Sequence, residues 1–499
     1  MYGTLWALVP PIFAIVLALI IKEAYSSLFL GVLLGALFCA SFNPVTTLDT
    51  LINDGLVASI ADNAGIFLFL VLLGIIVALV NKSGGSAAFG RWAETHVTSR
   101  VGAMLATFVL GVLIFIDDYF NCLTVGAVMR PVTDSHKISR AKLAYLIDAT
   151  AAPVCMIAPI SSWAAAVSGV ANDLDTGISG IQLFIRAIPY NFYSLLTFVF
   201  IIAIALMKFD FGPMALAEKA ALLNGDLGAI DGNDDNNANP KGKVIDLILP
   251  VLVLIVFCVI GMIYVGGFWD GASFIDAFGD TDAFVALPWG GIITLVLTVI
   301  YFLCRKVMTF KEAMECIPQG FIAMVPPIMI LVLATSLKSM TSALGAAEFV
   351  HGVMEGAAAS LYSMLPAIIF LVACVLAFAS GTSWGTFGIL IPIVVAIFPS
   401  DSKLLIIGIS ACCAGAVCGD HCSPISDTTI MASAGAQVDH LNHVSTQLPY
   451  AITVAVFSFI TYIFAGFVQN AVISIIVGAI ITVAGLFVIK TVTAKKAVE

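Results

Sequence analysis

Polar residues that could bind an ion or a proton cluster at four places within apolar stretches of this chain. The richest place runs from Gly419 to Thr429, with the sequence GDHCSPISDTT, and holds two aspartates, one histidine and four hydroxyl side chains. Ionisable groups at membrane depth are costly and generally mark the path of a transported ion or proton. The histidine can either carry a proton near neutral pH or hold an aspartate in place by hydrogen bonding.

Two further places lie near the middle of long apolar segments. Asp117 and Asp118 interrupt the segment 101–134, and a glycine- and hydroxyl-rich sequence interrupts 365–399. Both segments are predicted to be re-entrant hairpins with polar residues at their tips. The aspartates at the first tip supply negative charge. The hydroxyl groups at the second tip supply neutral dipoles, and its glycines allow the backbone to approach a bound ion closely. For each hairpin the alternative is a solvated turn between two short helices.

The fourth place begins at Asp148 and continues through Pro153 and Pro159 to Ser161 and Ser162. Prolines break a helix and free backbone carbonyls, which together with hydroxyl groups are neutral ligands suited to an alkali cation. Asp148 lies about three to four helical turns before the serines. It is therefore either part of the ion site, a proton carrier or a brace for the broken helix.

The candidate site combines charged and neutral groups. The candidate ion- or proton-binding residues are Asp117, Asp118, Asp148, Asp420, His421 and Asp427. The candidate hydroxyl and backbone ligands are Ser161, Ser162, Thr382, Ser383, Ser423, Ser426 and Thr428. For sodium itself the sequence favours Asp118, Asp420 and Asp427. The cysteines flanking His421 match no standard zinc motif, so no resident metal or cofactor is expected.

The composition places these residues in a membrane. Hydrophobic residues make up 61% of the 499 residues and charged residues only 10%, whereas about a quarter of a soluble domain is charged. Many apolar runs reach the roughly 20 residues that a crossing helix needs, and they do not alternate as β-barrel strands do. The predicted fold class is an all-α polytopic membrane protein. The net charge of −10 is spread over loops, with no basic block suited to nucleic acid.

The two halves of the chain repeat at an offset of about 260 residues. APISS at 158–162 resembles SPISD at 423–427, and IPY at 188–190 resembles LPY at 448–450. Several such matches in the same order indicate an internal duplication. Each copy is predicted to contain five spans and one re-entrant hairpin, and the odd number of spans inverts the second copy. Inverted repeats with broken helices are typical of alternating-access carriers.

This interpretation divides the chain into four parts. They are a first repeat at 1–207, a polar and mobile linker at 208–243, a second repeat at 244–467, and an extra span with its tail at 468–499. The predicted spans are 5–21, 28–42, 65–80, 143–168 and 187–207 in the first repeat, 244–266, 287–304, 321–336, 403–433 and 447–467 in the second, and 471–489 at the end.

Charge in the loops predicts the orientation. Lysine and arginine residues follow alternate spans on one side, whereas the loops 43–64, 169–186 and 267–286 are mostly acidic. The positive-inside rule then places the linker and the C-terminus in the cytoplasm and the N-terminus outside. The expected location is a bacterial inner membrane, with lipid as the surrounding partner, and a homodimer is compatible with this arrangement.

The string from Gly419 to Thr429 resembles the NhaC-type Na+/H+ antiporter family. Further similarity lies in Phe115 to Pro131, Leu143 to Trp163, 439–440 and 446–450. The resemblance covers both halves and implies an ion transporter built from inverted repeats with re-entrant hairpins. It also implies that Na+ and H+ are transported. The family contains sodium-linked carriers of organic acids and amino acids as well, so the substrate stays open.

Two transport functions and one enzymatic function compete. The first is exchange of Na+ for H+, in which the aspartates bind either ion but never both. The alternative is a sodium-coupled carrier or exchanger of a small organic acid or amino acid, held by hydroxyl groups and half-helix N-termini. The absence of a clear arginine within a span disfavours a multiply charged anion. An intramembrane aspartyl protease would carry a GxGD motif, but Asp420 follows Val417-Cys418-Gly419, so we expect no enzyme.

Overall fold

The computed structural model describes most of the chain. The described residues are 2–21, 23–115, 118–159, 161, 163–164, 167, 180–230, 239–274, 277, 281–346, 348–349, 362–400 and 402–496. Within these ranges the chain forms helices joined by short turns, and the only β-type pairing is an isolated bridge between Ala229 and Val438. The candidate residues Asp117 and Ser162 lie outside the described residues.

The helices of the first half follow its apolar runs. They are α1 (Val9–Ile21), α2 (Ala24–Cys39), α3 (Pro44–Asp49), α4 (Ala58–Asp62), α5 (Ala64–Ser83), α6 (Gly85–His96), α7 (Arg100–Leu113), α8 (Asp118–Ser135), α9 (Arg140–Asp148), α10 (Ala152–Cys155), α11 (Gly180–Ala187) and α12 (Phe192–Met207). A π-helix, Thr50–Val57, joins α3 to α4, and short 3-10 helices, Leu5–Leu8 and Ile188–Tyr190, precede α1 and α12.

The linker and the second half are also helical. Their helices are α13 (Gly212–Asn224), α14 (Ile245–Val265), α15 (Ala283–Cys304), α16 (Phe310–Ala343), α17 (Leu365–Ser380), α18 (Ser383–Ile397), α19 (Lys403–Cys422), α20 (Asp427–Ala436), α21 (His440–Val468) and α22 (Ala471–Lys496), with 3-10 helices at Phe268–Asp270 and Tyr362–Met364.

Six of the described helices are long and apolar enough to cross a membrane, namely α5, α14, α15, α19, α21 and α22. A seventh crossing forms if the segments Gln182–Tyr190 and Phe192–Met207, which meet at 44°, make up one bent span. Shorter apolar helices, α7, α17 and α18 among them, lie between these spans. The chain is therefore an all-α, multi-pass membrane protein, as its composition predicted.

The segment 43–64, interpreted from its charge as an external loop, is instead helical. Pro44 begins α3, and the Asn43 side chain caps it by accepting a hydrogen bond from the Val45 backbone N at 3.0 Å. The helical stretch exposes apolar side chains, with Val45 71% and Leu48 56% exposed. An exposed apolar face suits contact with lipid. The acidic residues of this helical stretch, such as Asp49 and Asp54, made the segment look like a loop.

The linker was predicted to be mobile, but its described part is bound to both halves of the protein. On α13, the buried Glu218 carboxylate accepts hydrogen bonds from Arg100 Nη2 at 2.5 Å and from the Ser139 backbone N at 2.8 Å. Further along, the Ile230 backbone N donates to the Gln437 carbonyl at 3.2 Å. A buried carboxylate needs such compensating partners, so these contacts fix the helix in place.

Glycines allow the helices that carry the acidic residues to approach closely. Helices α8 and α20 cross at Gly126 and Gly435, where a Cβ on Gly126 would lie 2.4 Å from the Gly435 carbonyl carbon. Helices α17 and α19 cross at Gly419, where a Cβ would lie 2.2 Å from the Cys374 carbonyl oxygen. Any side chain at these positions would separate the helices. The crossings bring acidic helix ends from both halves to one place.

Candidate ion-binding site

A cavity of about 320 Å³ lies where these helix ends meet. Its charged lining residues are Asp62, Asp118, Asp420, Asp427 and Lys338. Hydroxyl and aromatic side chains complete the lining, among them Tyr119, Trp163, Thr382, Ser383 and Trp384. Of the residues favoured for sodium from the sequence, Asp118, Asp420 and Asp427 all line this cavity. The cavity therefore gathers oxygen ligands and negative charge from both halves of the chain.

Asp427 connects the first hairpin to the break in the second half. It is the first residue of α20, and its Oδ1 accepts a hydrogen bond from the Thr428 backbone N at 3.0 Å. Its Oδ2 accepts a hydrogen bond from Tyr119 Oη at 2.7 Å. Asp118 immediately precedes Tyr119 and begins α8. Both carboxylates thus lie at helix N-termini, where the helix dipole stabilises negative charge.

Asp420 lies in the last turn of α19 and is only 2% exposed. Its Oδ2 accepts a hydrogen bond from Ser383 Oγ at 2.8 Å, whereas its buried Oδ1 has no hydrogen-bond partner in the described part of the chain. Buried acceptors are normally satisfied, so this oxygen is available to a cation. Thr382, which caps α18 by accepting from the Gly385 backbone N at 3.3 Å, also lines the cavity.

Four of the predicted hydroxyl ligands do not line the cavity. Ser161 Oγ donates to the Cys155 carbonyl at 2.7 Å, and Ser423 Oγ donates to the Phe378 carbonyl at 2.8 Å. The hydroxyl oxygens of Ser426 and Thr428 lie 2.9 Å apart, and Ser426 caps α20. These hydroxyls thus make hydrogen bonds at a broken helix or at a helix start, and none of them lines the cavity.

Asp148 and His421 lie together but outside the cavity lining. Asp148 Oδ2 accepts hydrogen bonds from Thr429 Oγ1 at 2.9 Å and from Gln447 Nε2 at 2.7 Å. His421 Nδ1 lies 2.7 Å from Tyr193 Oη, and its buried Nε2 lies 3.9 Å from Asp148 Oδ2 without a hydrogen-bond partner among the described residues. This pair belongs to a buried polar network beside the cavity.

The sequence interpretation missed two charged residues of the cavity, Asp62 and Lys338. Asp62 lies at the end of α4, in the segment interpreted as a loop. Lys338 lies two residues beyond the predicted span 321–336, because α16 continues to Ala343. A signal was present: Thr335, Lys338 and Ser339 recur at three- and four-residue spacing, which places them on one helix face.

The carboxylates surround an open cavity and do not form a closed metal site. In the part of the chain that the structure describes, no group of three or more histidine, cysteine, aspartate or glutamate side chains is close enough to hold a metal ion. Resident metals are bound by side chains that converge at short distance. A transported cation requires weaker and more open binding, since it has to leave again.

Comparison with known proteins identifies the family of this chain. Residues 154–467 match the model of the Na+/H+ antiporter family. A protein of Haemophilus influenzae without an assigned function is 36% identical over 504 residues, covering 98% of this chain and 96% of its own length. The malate-2H+/Na+-lactate antiporter of Bacillus subtilis is 29% identical over 201 residues, which is 37% of this chain and 40% of that relative. The present chain therefore belongs to the Na+/H+ antiporter family of membrane transporters.

Proposed function

We propose that this protein exchanges Na+ for H+ by alternating access and binds Na+ among Asp118, Asp420 and Asp427. The observation that carries the proposal is the convergence of these three carboxylates on one cavity. A dehydrated cation in a membrane protein needs negative charge and oxygen ligands around it. When Na+ leaves, protons can neutralise the same carboxylates, so the two ions compete for the site. Family membership supports the identity of both ions.

The proposed alternating access requires two structurally related halves. Helix α5 ends at Ser83 before Gly84, which has a φ of 81°, and α16 ends at Ala343 shortly before Gly345, which has a φ of 76°. Each half also contains a pair of consecutive helices at its predicted hairpin, α7 with α8 and α17 with α18. These correspondences support inverted repeats at 1–207 and 244–467. Rocking of one repeat against the other would then expose the cavity to each side in turn.

The exchange itself is tested with purified protein in liposomes. A Na+ gradient imposed without any organic solute is expected to drive H+ in the opposite direction, measured with a pH-sensitive dye inside the liposomes. Replacing Na+ by K+ is the control, since the larger ion should drive less flux. Proton flux that requires an added organic acid or amino acid would contradict simple ion exchange and favour the alternative function.

The orientation is a separate proposal, with the linker and C-terminus cytoplasmic in a bacterial inner membrane. It is tested by introducing one cysteine at a time at two exposed positions, Asp226→Cys in the linker and Gly271→Cys in the opposite loop. The background is a variant in which the exposed Cys304 and the partly exposed Cys39 and Cys374 are replaced by serine. An impermeant maleimide is expected to label Gly271→Cys in intact cells and Asp226→Cys only after permeabilisation. Equal labelling of both in intact cells would contradict this orientation and the inverted-repeat arrangement.

One observation favours a second candidate function, the coupled transport of a small carboxylate. Lys338 lines the cavity, where its charge acts on Asp420, and it makes no hydrogen bond or close ion pair with any described residue. An ammonium group near hydroxyl donors can bind one carboxylate group by charge-assisted hydrogen bonds. The aromatic side chains of Trp163, Phe284 and Trp384 offer an apolar surface beside it. A cavity of about 320 Å³ also exceeds the volume of one Na+ ion.

Lys338→Gln distinguishes the two functions. If only ions are exchanged, removing this positive charge should strengthen Na+ binding about threefold to tenfold, on the order of 1 kcal/mol for a screened charge a few ångströms away. If a carboxylate is carried, Lys338→Gln should lose all solute-stimulated flux, and Lys338→Arg should retain part of it. The measurement is Na+-driven flux in liposomes with and without a panel of organic acids. Lys311→Gln, an exposed position on the same helix, is the matched control.

A further inference from the structure

Two buried histidines that line no part of the cavity share one serine hydroxyl. His440 and His443 lie at the start of α21, and Ser433 lies on α20. Ser433 Oγ is 3.0 Å from His440 Nδ1 and 2.8 Å from His443 Nδ1. His443 has no exposed surface and His440 is 6% exposed. We call these three residues the histidine cluster.

The outer nitrogens of both rings must carry hydrogens. His440 Nε2 lies 2.7 Å from the Pro424 carbonyl, which can only accept. His443 Nε2 lies 2.9 Å from Gln447 Oε1. The Gln447 amide nitrogen already donates to Asp148 and to the His421 carbonyl, so its oxygen must face His443 and accept. In a neutral imidazole only one nitrogen carries a hydrogen. Both Nδ1 atoms are therefore bare when the rings are neutral.

The neutral cluster consequently lacks one hydrogen. The single Ser433 hydroxyl hydrogen faces two bare Nδ1 atoms and also the Thr429 carbonyl, which lies 2.8 Å away. At least one ring nitrogen then faces the serine oxygen lone pair without a hydrogen between them. One added proton removes this conflict: one ring donates to Ser433, and Ser433 donates to the other ring. Unsatisfied buried polar contacts are costly, so the network is completed by one proton.

Charge compensation for that proton is present nearby. Asp148 Oδ2 lies 3.9 Å from His443 Nε2, and Gln447 bridges the two side chains. Three other ionisable groups face the cluster: His421 on α19, the exposed Asp439 that precedes α21, and Arg140. Arg140 is paired with Asp134, and its Nη1 donates to the Ala436 carbonyl at 2.7 Å. The carboxylate of Asp148 is the group placed to offset an added positive charge.

We propose that His440, Ser433 and His443 form a buried site for one exchanged proton, separate from the cation cavity. The proposal rests on the proposed Na+/H+ exchange. Helix α20 connects the two sites, because Asp427 at its first residue lines the cavity and Ser433 lies less than two turns further along. A small movement of this helix on Na+ binding would change the distances from Ser433 Oγ to the two histidine Nδ1 atoms, and with them the affinity for the proton. Coupling through one rigid element that both ligands bias is a physical route for ion exchange.

The position of the cluster also provides an entry route. His440 directly follows Asp439, whose side chain is exposed. The preceding residues pair with the linker, since Ala229 and Val438 form the isolated bridge. A proton would therefore enter the cluster from the linker side of the protein, which is the side proposed to be cytoplasmic. Na+ and H+ therefore need not follow the same path through the protein.

The test measures protons released when Na+ binds to purified protein in weakly buffered detergent solution. Wild-type protein is expected to release protons on addition of NaCl but not KCl, and its Na+ affinity should rise with pH by up to about tenfold per pH unit for each proton displaced. The double variant His440→Gln/His443→Gln should still be stabilised against heat by Na+ and should release about one proton fewer than wild type. Its Na+ affinity should therefore depend on pH less steeply, by up to about tenfold per pH unit, and protons that compete at the cavity carboxylates account for the dependence that is left.

A smaller change and a matched control accompany this variant. Ser433→Ala keeps both imidazoles but removes the shared hydroxyl, so the midpoint of proton release should move to lower pH because the protonated form loses its bridge. His96→Gln changes an exposed histidine and should behave as wild type. If the double variant does not fold, the shifted midpoint in Ser433→Ala still tests the cluster.

The possible outcomes distinguish a failure of the histidine-cluster proposal from a failure of the proposed Na+/H+ exchange. A wild-type protein that binds Na+ without releasing protons would contradict the proposed exchange itself. Full proton release and an unchanged pH dependence in both variants, with wild-type protein behaving as expected, would contradict only the histidine cluster. Loss of Na+ stabilisation in the folded double variant would also contradict it, since a separate proton site should leave the cavity able to bind Na+.

Discussion

Asp420→Asn and Asp427→Asn are each expected to abolish Na+-driven proton flux while leaving a folded, inserted protein. Asparagine retains the size and most of the hydrogen bonding of aspartate but removes the charge that offsets a dehydrated cation. Ser383 can still donate to an amide oxygen at 420, and Tyr119 to one at 427, as they do to the carboxylates. The expected loss is therefore in ion binding, measured as Na+-induced thermal stabilisation and as flux in liposomes.

Asp282→Asn is the matched control for these two variants. Asp282 caps α15 by accepting from the Phe284 backbone N at 2.9 Å and does not line the cavity. Asparagine caps helices about as well as aspartate, so this variant should transport normally. Unchanged Na+ dependence in both Asp420→Asn and Asp427→Asn would show that the cluster is structural and that Na+ binds elsewhere.

Asp118→Asn and Asp148→Asn are expected to affect transport in different ways. Asp118 lines the cavity, so its neutralisation should eliminate transport at every pH. Asp148 is buried beside the cavity and accepts hydrogen bonds from Thr429 and Gln447. Asp148→Asn should leave some transport with an altered pH profile, because this carboxylate offsets the charge of a proton held nearby. Na+-driven proton flux from about pH 6 to 9 covers the range in which perturbed carboxylates and histidines titrate.

The opposite pattern would reverse the two roles. Full activity in Asp118→Asn together with inactive Asp148→Asn would place Na+ in the buried network. Thr429→Val provides a further check, because it removes one hydrogen bond to Asp148 without changing any charge. It should change the pH profile less than Asp148→Asn and should leave Na+ binding intact.

Most helices could be predicted because apolar runs of sufficient length are a direct consequence of solvation in lipid. The predicted hairpin 365–399 corresponds to α17 and α18, which meet at Gly381 and Thr382. The string GDHCSPISDTT was correctly taken as a break: α19 ends at Cys422 and α20 begins at Asp427. Proline and small polar residues end helices by local chemistry, which a sequence displays directly.

The parts that could not be predicted depend on contacts between distant residues. The helical segment 44–62 has too many polar residues for an apolar-run criterion, although it packs beside α16 and exposes an apolar face. Ser161 Oγ donates to the carbonyls of Cys155 and Ala158 within its own broken helix, so it braces that break and does not line the cavity. The histidine cluster carries a local signal, two histidines three residues apart, but its shared hydroxyl becomes visible only when α20 meets α21.

The first half of this chain leaves the ribosome before the groups that stabilise its buried carboxylates exist. Tyr119 and Asp427 are separated by 308 residues, and Asp148 and Gln447 by 299. At synthesis rates of about 5–20 residues per second, the partners follow roughly 15 to 60 seconds later. Until then the nascent first half holds Asp148 without these donors, an arrangement that is unfavourable in a bilayer. Assembly of the ion site is consequently a late event of biogenesis, and a first half expressed alone should be removed by cellular quality control.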